Sequence, residues 1–128
     1  MENKKRKILV ADDSPVIQTL TKKIFFGMGY EVTGFKTGGS VIKSIEENDY
    51  DAIILDIILP EVDGLTLAKQ IRKLKDPVKS KLPIVAISGN YKNHTMEEFD
   101  SLGIKDLLIK PLDYDKLVEA ITRYVEGS

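Results

Sequence analysis

One stretch of the sequence decides the fold: Tyr50-Asp51-Ala52-Ile53-Ile54-Leu55-Asp56-Ile57-Ile58-Leu59-Pro60. Its apolar run at 52–55 does not alternate with polar residues, which is typical of a strand covered on both faces, as in a parallel sheet. Asp56 follows that run directly, and Pro60 ends any strand ladder because it has no backbone N–H to donate. In open α/β sheets, ligands bind at the carboxyl ends of the strands. We therefore expect Asp56 to lie at the functional edge of a central strand.

The composition indicates one globular domain. The chain has 128 residues, of which 42% are hydrophobic, enough for one packed core. Its net charge of −1 gives no field for nucleic acid or an anionic membrane, and the absence of cysteine excludes disulfides and thiolate metal sites. No apolar run is long enough for a signal peptide or a membrane span. We expect a single cytoplasmic domain over residues 1–128 that binds neither nucleic acid nor membrane, with the basic run 4–7 as a solvated lead-in.

Strand and helix patterns alternate along the chain. Short apolar runs predict strands at 8–11, 31–35, 52–55, 83–87 and 107–109. Apolar residues at helical spacing predict helices over 15–28, 41–48, 64–74 and 96–102, and a last helix from 113 or 115 to 125, with a polar loop at 75–81. The alternation predicts an α/β fold, a doubly wound five-stranded parallel sheet with helices on both faces.

The first helix has recognisable start signals. Asp13 or Ser14 can cap it, and Pro15 suits the first helical position. The apolar residues that recur along it at helical spacing are Val16, Ile17, Leu20, Ile24 and Phe25.

Polar residues stand at the carboxyl ends of four predicted strands: Asp12 and Asp13, Asp56, Ser88, and Lys110. Each alone has an ordinary structural explanation as a cap, a turn residue or a solvated charge. The carboxyl ends of a parallel sheet lie along one edge, however, so all five side chains can converge there. Their recurrence at the functional edge favours a site.

The residue types at this edge indicate phosphoryl chemistry. Three carboxylates packed together repel one another unless a cation lies among them. No histidine or cysteine accompanies them, so an oxygen-preferring ion such as Mg²⁺ is favoured. A lysine and a hydroxyl group can bind the oxygens of a phosphoryl group, and an aspartate can accept it covalently. Phosphoryl transfer needs mainly positioning and charge neutralisation, which such a cluster supplies.

The motif resembles the receiver domain of two-component response regulators over residues 7–125. It consists of Asp12-Asp13, Asp56 followed by Leu59-Pro60 and Asp63-Gly64, then Ser88, and Lys110-Pro111. The resemblance implies the flavodoxin-like strand order 2-1-3-4-5. It also implies that Asp56 accepts a phosphoryl group from a sensor histidine kinase or a histidine phosphotransfer protein.

The resemblance implies a role for each site residue. Asp13, Asp56 and the backbone carbonyl of Ile58 would hold Mg²⁺, with Asp12 acting through water. Ser88 and Lys110 would contact the phosphoryl oxygens. The Lys110-Pro111 peptide bond is expected to be cis, so that the lysine amine points over Asp56.

Two positions depart from the common receiver pattern. Many receivers carry Tyr or Phe three residues before the lysine, where this chain has Leu107, and many carry a polar residue at the position of Ile58. We therefore expect activation without an aromatic rotamer switch. It would proceed through a shift of the loop 89–93, which begins with Gly89 and Asn90. The output surface would be helix four, strand five and helix five, where an unknown downstream protein would bind. The apolar residue at 58 bears on the lifetime of the phosphoryl group.

The sequence predicts a single-domain regulator without an output domain, and four other functions compete with it. A phosphorylation-independent interaction domain is disfavoured by the intact acidic triad, Ser88 and Lys110. A Mg²⁺-dependent phosphatase would need a second Asp in place of Ile58. A flavin-binding flavodoxin would need a Ser/Thr/Gly-rich loop after strand one. His94, the only histidine, is interpreted as a surface residue rather than a phosphotransfer site.

Overall fold

Five parallel strands form one sheet, and helices pack on both of its faces. The computed structural model describes residues 5–89 and 96–127. The strands are β1 (Lys7–Ala11), β2 (Glu31–Phe35), β3 (Ala52–Asp56), β4 (Ile84–Ser88) and β5 (Asp106–Ile109). The helices are α1 (Pro15–Gly27), α2 (Val41–Glu47), α3 (Gly64–Arg72), α4 (Met96–Ser101) and α5 (Tyr114–Val125).

The strand order is β2-β1-β3-β4-β5, and every neighbouring pair is parallel. This is the flavodoxin-like order, so the predicted fold class and topology are confirmed. β3 lies at the centre, with Ile54 opposite Val10 of β1 and Val85 of β4. All residues of β3 and β4 are buried, which explains why their sequences are continuous apolar runs rather than alternating ones.

The sheet separates two hydrophobic cores. Successive side chains of a strand point to opposite faces, so Leu9 and Ile53 enter one core while Ile8 and Ile54 enter the other. Residues of α2, α3 and α4 complete the first core, and residues of α1 and α5 complete the second. Helices on both faces leave the carboxyl edge of the sheet as the place where polar side chains can gather.

Side-chain caps fix the starts of three helices. Ser14 accepts a hydrogen bond from the Ile17 N–H at 3.2 Å at the start of α1. Asp63 and Asp113 cap α3 and α5 in the same way. Of the two residues predicted to cap α1, Ser14 is therefore the cap, and Asp13 is left exposed at the carboxyl edge of the sheet.

The buried face of α1 differs from the apolar pattern of its sequence. Val16 and Leu20 are 64% and 39% exposed, although both belong to the apolar set at helical spacing. The buried residues of α1 are Ile17, Gln18, Thr21 and Phe25. The helix is turned so that a glutamine and a threonine face the sheet, because the Gln18 amide finds backbone acceptors there.

The predicted loop at 75–81 contains a short 3-10 helix, Lys79–Lys81. The Lys79 ammonium donates to the carbonyl oxygens of Ile45 and Glu46 at 2.7 Å, which lie in the last turn of α2. Arg72 at the end of α3 donates to Leu82 O at 2.8 Å and to Leu102 O at 2.6 Å. Hydrogen bonds from Lys79 and Arg72 therefore hold the polar segment 75–81 against α2 and α3.

The predicted switch residue Asn90 lies outside the described residues, and so does His94, which the sequence indicates to be a surface residue. Within the described part of the chain, no helix combines the length and the apolar character that a membrane crossing requires.

Candidate functional site

The carboxyl ends of β1, β3 and β4 bring the predicted site residues to one edge. Asp56 is the last residue of β3, and the chain continues with the Ile57 N–H bonded to Ile87 O of β4 at 2.9 Å. Ser88 is the last residue of β4, and Asp12 follows β1 directly. Asp12, Asp56 and Ser88 are buried polar residues at the end of an otherwise apolar sheet.

Three carboxylates form a cluster at this edge. Asp12, Asp13 and Asp56 each offer one oxygen, and these oxygens lie within 4.8 Å of one another. Asp12 is 0% exposed and Asp56 is 2% exposed, whereas Asp13 faces solvent. Among the described residues, Asp12 Oδ2 has no hydrogen-bond donor. An all-oxygen cluster with an unsatisfied buried carboxylate oxygen fits a hard divalent cation such as Mg²⁺.

Both oxygens of Asp56 are held by donors. Asp56 Oδ1 accepts from the Ile58 N–H at 3.0 Å, and Oδ2 accepts from Lys110 Nζ at 2.8 Å. The same Lys110 ammonium lies 3.6 Å from Asp12 Oδ2. Lys110 therefore bridges two buried carboxylates and partly neutralises them.

The environment of the site shifts two ionisation equilibria. Burial, helped by the charge of the neighbouring Asp56 carboxylate, raises the pKa of the Asp12 carboxyl group to about 6, against the opposing hydrogen bond from the Ser14 N–H. Burial by itself lowers the pKa of Lys110. The hydrogen bond to Asp56 and the surrounding carboxylates outweigh that effect, so the net change is upward. Lys110 thus stays cationic, while the acids crowd one another.

The turn between β3 and α3 approaches the site backbone closely at Gly64. The Gly64 N–H donates to Ile57 O at 2.8 Å. A Cβ atom at this position would lie 2.3 Å from Asp56 O and 2.6 Å from Ile57 Cα, far inside van der Waals contact. Only glycine lets α3 begin directly beneath the residue that carries the central carboxylate.

The other predicted site residues have these positions. The Lys110–Pro111 peptide bond is cis, as expected. Leu107 packs against the core formed by α2, α3 and α4. The Ile58 side chain is 58% exposed beside Asp56, and Gly89 follows β4 at the same edge.

One residue near the site was missed by the sequence analysis. Gln18 of α1 is buried, and its amide nitrogen donates to Asp12 O at 2.9 Å. The available signal was Gly34 inside the predicted strand 31–35, because glycine in a strand often marks a close approach by another group. In the structure, a Cβ at Gly34 would lie 1.9 Å from the Gln18 carboxamide oxygen.

Comparison with known proteins finds the same fold elsewhere. The receiver domain of the sensor histidine kinase PA1611 from Pseudomonas aeruginosa, crystallised with a magnesium ion coordinated in its active-site cleft, is 30% identical with a TM-score of 0.83. The match covers 97% of this chain and 100% of that one.

Curated relatives include a sensor kinase and a chemotaxis protein. The CAI-1 autoinducer sensor kinase/phosphatase CqsS of Vibrio cholerae is 32% identical over 94% of this chain, and this chain spans only 17% of the length of CqsS. The chemotaxis protein CheY of Bacillus subtilis is 27% identical over 91% of this chain, which spans 95% of CheY. The family model described as the response regulator receiver domain matches residues 8–122. The chain therefore belongs to the receiver domain family of two-component signalling.

Proposed function

We propose that this chain accepts a phosphoryl group on Asp56 from a sensor histidine kinase or a histidine phosphotransfer protein, in a Mg²⁺-dependent reaction. The phosphorylated chain would signal through a change at its surface. Phosphoryl acceptance is the general function of the family. The observation that carries the proposal is the Asp56 carboxylate, which is bonded to Lys110 and to the Ile58 N–H beside two further acids.

In the proposed reaction, an oxygen of Asp56 forms a bond to phosphorus while the P–N bond of the donor phosphohistidine breaks. The electron pair of that bond leaves with the imidazole nitrogen. Lys110 and Ser88 then contact the new phosphoryl oxygens, and the cationic lysine offsets part of the charge of about −1.5 to −2 that the phosphoryl group carries. Holding these groups in place before the reaction is how a site of this kind assists phosphoryl transfer.

Asp13, Asp56 and the backbone carbonyl of Ile58 would hold Mg²⁺ directly, and Asp12 would act through water. The exposure of Asp13 and the burial of Asp12 support this division, since an ion that keeps several waters binds at the solvent side of the cluster. When bound, Mg²⁺ neutralises charge on the transferring group. The magnesium ion coordinated in the active-site cleft of the PA1611 receiver domain supports a Mg²⁺ site in this chain.

The proposal extends to organisation and output. Residues 1–128 would act as a single receiver domain in the cytoplasm. A downstream protein would bind the face of α4, β5 and α5. Leu107 in β5 packs against the same core as Leu102 beyond α4, so a movement of one can reach the other.

The central test is phosphorylation of Asp56. The purified chain is incubated with acetyl phosphate and Mg²⁺, and intact mass is followed. We expect wild type to gain one phosphoryl group and Asp56→Asn to gain none. Asp51→Asn is the matched control, because Asp51 lies at the opposite end of β3, where it accepts from the Lys7 N–H. If Asp56→Asn gains phosphate as readily as wild type, the assignment is wrong.

A binding measurement separates this function from that of a phosphorylation-independent interaction domain. We expect the wild-type chain to bind a beryllium fluoride phosphate analogue only when Mg²⁺ is present. A chain that kept the fold and lost phosphorylation would not bind the analogue with or without Mg²⁺, although it could still bind its protein partner.

A further inference from the structure

Gln18 is a buried polar side chain to which the reaction proposed above gives no role. It lies on the sheet-facing side of α1 and is 5% exposed. Its amide nitrogen donates to Asp12 O at 2.9 Å and to Phe35 O at 3.0 Å, with Val10 O at 3.4 Å. One side chain of α1 therefore ties the end of β1 to the end of β2.

The peptide unit after Asp12 is the group that these bonds fix. The Asp12 carbonyl belongs to the planar peptide group that joins Asp12 to Asp13, so its hydrogen bond to Gln18 sets the plane from which both acids project. The Asp12 N–H donates at 3.0 Å to Phe35 O, the oxygen that also accepts from Gln18. The register of β1 with β3 ends at Ala11, so support from that side stops just before the acid pair.

The contact has two local costs. Gln18 Oε1 is buried and has no hydrogen-bond partner among the described residues, and leaving such an acceptor unmet destabilises the folded state. Gly34 of β2 lies opposite Gln18 Oε1, and a Cβ atom at position 34 would lie 1.9 Å from that oxygen. The contact therefore requires a glycine, which weakens the interior of a strand. A leucine at position 18 would avoid the unmet acceptor. The amide of Gln18 supplies donor hydrogens beside the acid pair that a leucine could not supply.

We infer that Gln18 is the positioning residue that holds the Asp12–Asp13 peptide unit in the geometry Mg²⁺ requires. The inference rests on the proposed function, since it concerns the same metal ligands. Mg²⁺ demands near-ideal octahedral geometry, so the direction of each carboxylate matters. Groups that orient metal ligands without touching the metal typically change metal affinity about 10–100-fold.

The first test replaces the amide while keeping length and bulk. Gln18→Met loses the donor, and we expect its Mg²⁺ dissociation constant, measured by calorimetric titration, to rise about tenfold. In the metal-free protein, the Asp12 amide should exchange its hydrogen faster. Thr21→Val is the matched control, since Thr21 shares the buried face of α1 and its hydroxyl has no hydrogen-bond partner among the described residues. We expect Thr21→Val to leave both measurements unchanged.

A second test reaches Gln18 from the opposite side. Gly34→Ala places a methyl group against the Gln18 carboxamide and must displace it. We expect Gly34→Ala to weaken Mg²⁺ binding when Gln18 is present and to have no further effect in a Gln18→Ala background. Such non-additivity is the signature of two residues that act through one contact.

The outcomes distinguish the inference from the proposed function. If Gln18→Met matches Thr21→Val in Mg²⁺ affinity, or if Gly34→Ala acts equally in both backgrounds, Gln18 only joins α1 to the sheet and the inference is wrong. If the wild-type protein binds no Mg²⁺, both the proposed function and the inference about Gln18 are wrong. Unchanged exchange of the Asp12 amide in Gln18→Met overturns the positioning role independently of any metal.

Discussion

Ile58 places an apolar side chain, 58% exposed, two residues after the proposed phosphoacceptor. Hydrolysis of an aspartyl phosphate needs a water in line with phosphorus, and a branched alkyl group cannot hold one by hydrogen bonding. We therefore expect Ile58→Asn to lose phosphate faster than wild type. Positioned groups that also transfer a proton contribute about 10²–10⁴-fold, so an amide that only orients water should give about tenfold.

The measurement is the decay of intact phosphorylated protein by mass after the donor is removed. Ile58→Val is the control, because it keeps an apolar branched side chain and should decay at the wild-type rate. A decay of Ile58→Asn that is equal to or slower than that of wild type contradicts this role for residue 58.

At the scale of elements, Tyr124 joins α5 to β5. Its hydroxyl donates to the carboxylate of Asp106, which also pairs with Arg123 at 3.3 Å. Burial, followed by the hydrogen bond to Asp106 and the charge of Asp106, raises the pKa of Tyr124 to about 12. We expect Tyr124→Phe to lower the free energy of unfolding by about 1.5 kcal/mol at pH 8, the low end of the usual contribution of a hydrogen bond to a charged group, because both side chains are partly exposed.

The same contact predicts how that difference depends on pH. A tyrosine in the unfolded chain has a pKa near 10, so the folded state favours the protonated form. The stabilisation is complete below pH 10 and is lost as the pH rises through 12. Urea titrations of both proteins should therefore converge over this range. Tyr30, whose pKa is also raised to about 12 by burial and by Glu126, is present in both and cancels. Curves that stay parallel to pH 12 would contradict the assignment.

The elements divide into those that local sequence determines and those that distant contacts determine. The strands and most helix bounds were predictable, because buried apolar runs and cap residues such as Ser14 and Asp63 act over a few residues. The 3-10 helix at Lys79–Lys81 was not, because its position depends on Lys79 reaching α2 across more than thirty residues of chain. The rotation of α1 was missed for the same reason, since the partners of Gln18 lie on two strands.

The acidic cluster was predictable for a different reason. Strand ends can be read from apolar runs, and parallel order then brings Asp12 and Asp56 to one edge without knowledge of distances. The bonds within the cluster were beyond reach, because the sequence does not show which oxygen of Asp56 receives Lys110 and which receives the Ile58 N–H.

At the scale of the whole molecule, a phosphoryl group at the carboxyl edge must be sensed elsewhere on the surface. Ser88 ends β4, and Leu107 on the neighbouring β5 packs against the core that α4 covers. Arg72 fixes the far end of that region through Leu102 O. We expect amide hydrogen exchange, with and without a phosphate analogue and Mg²⁺, to change most from Gly89 through α4 and in β5.

Two comparisons sharpen this expectation. Leu107→Tyr should still accept phosphate, since the side chain is not part of the acidic cluster, although its affinity for a partner can differ. In the exchange experiment, peptides from α2 serve as internal references that should stay constant. Changes confined to α1 and α2, or to the site itself, would mean that the output surface is a different one.

The tight contact beneath Gly64 also limits how this sequence can drift. A side chain at that position would strike the main chain at Asp56 and Ile57 rather than a flexible group that could move aside. Any replacement must therefore displace the segment that carries the reactive carboxylate, however small the new residue is. A single methyl group at this position would therefore change the geometry of the site itself. A designer who redesigns this turn has one amino acid to choose from at position 64.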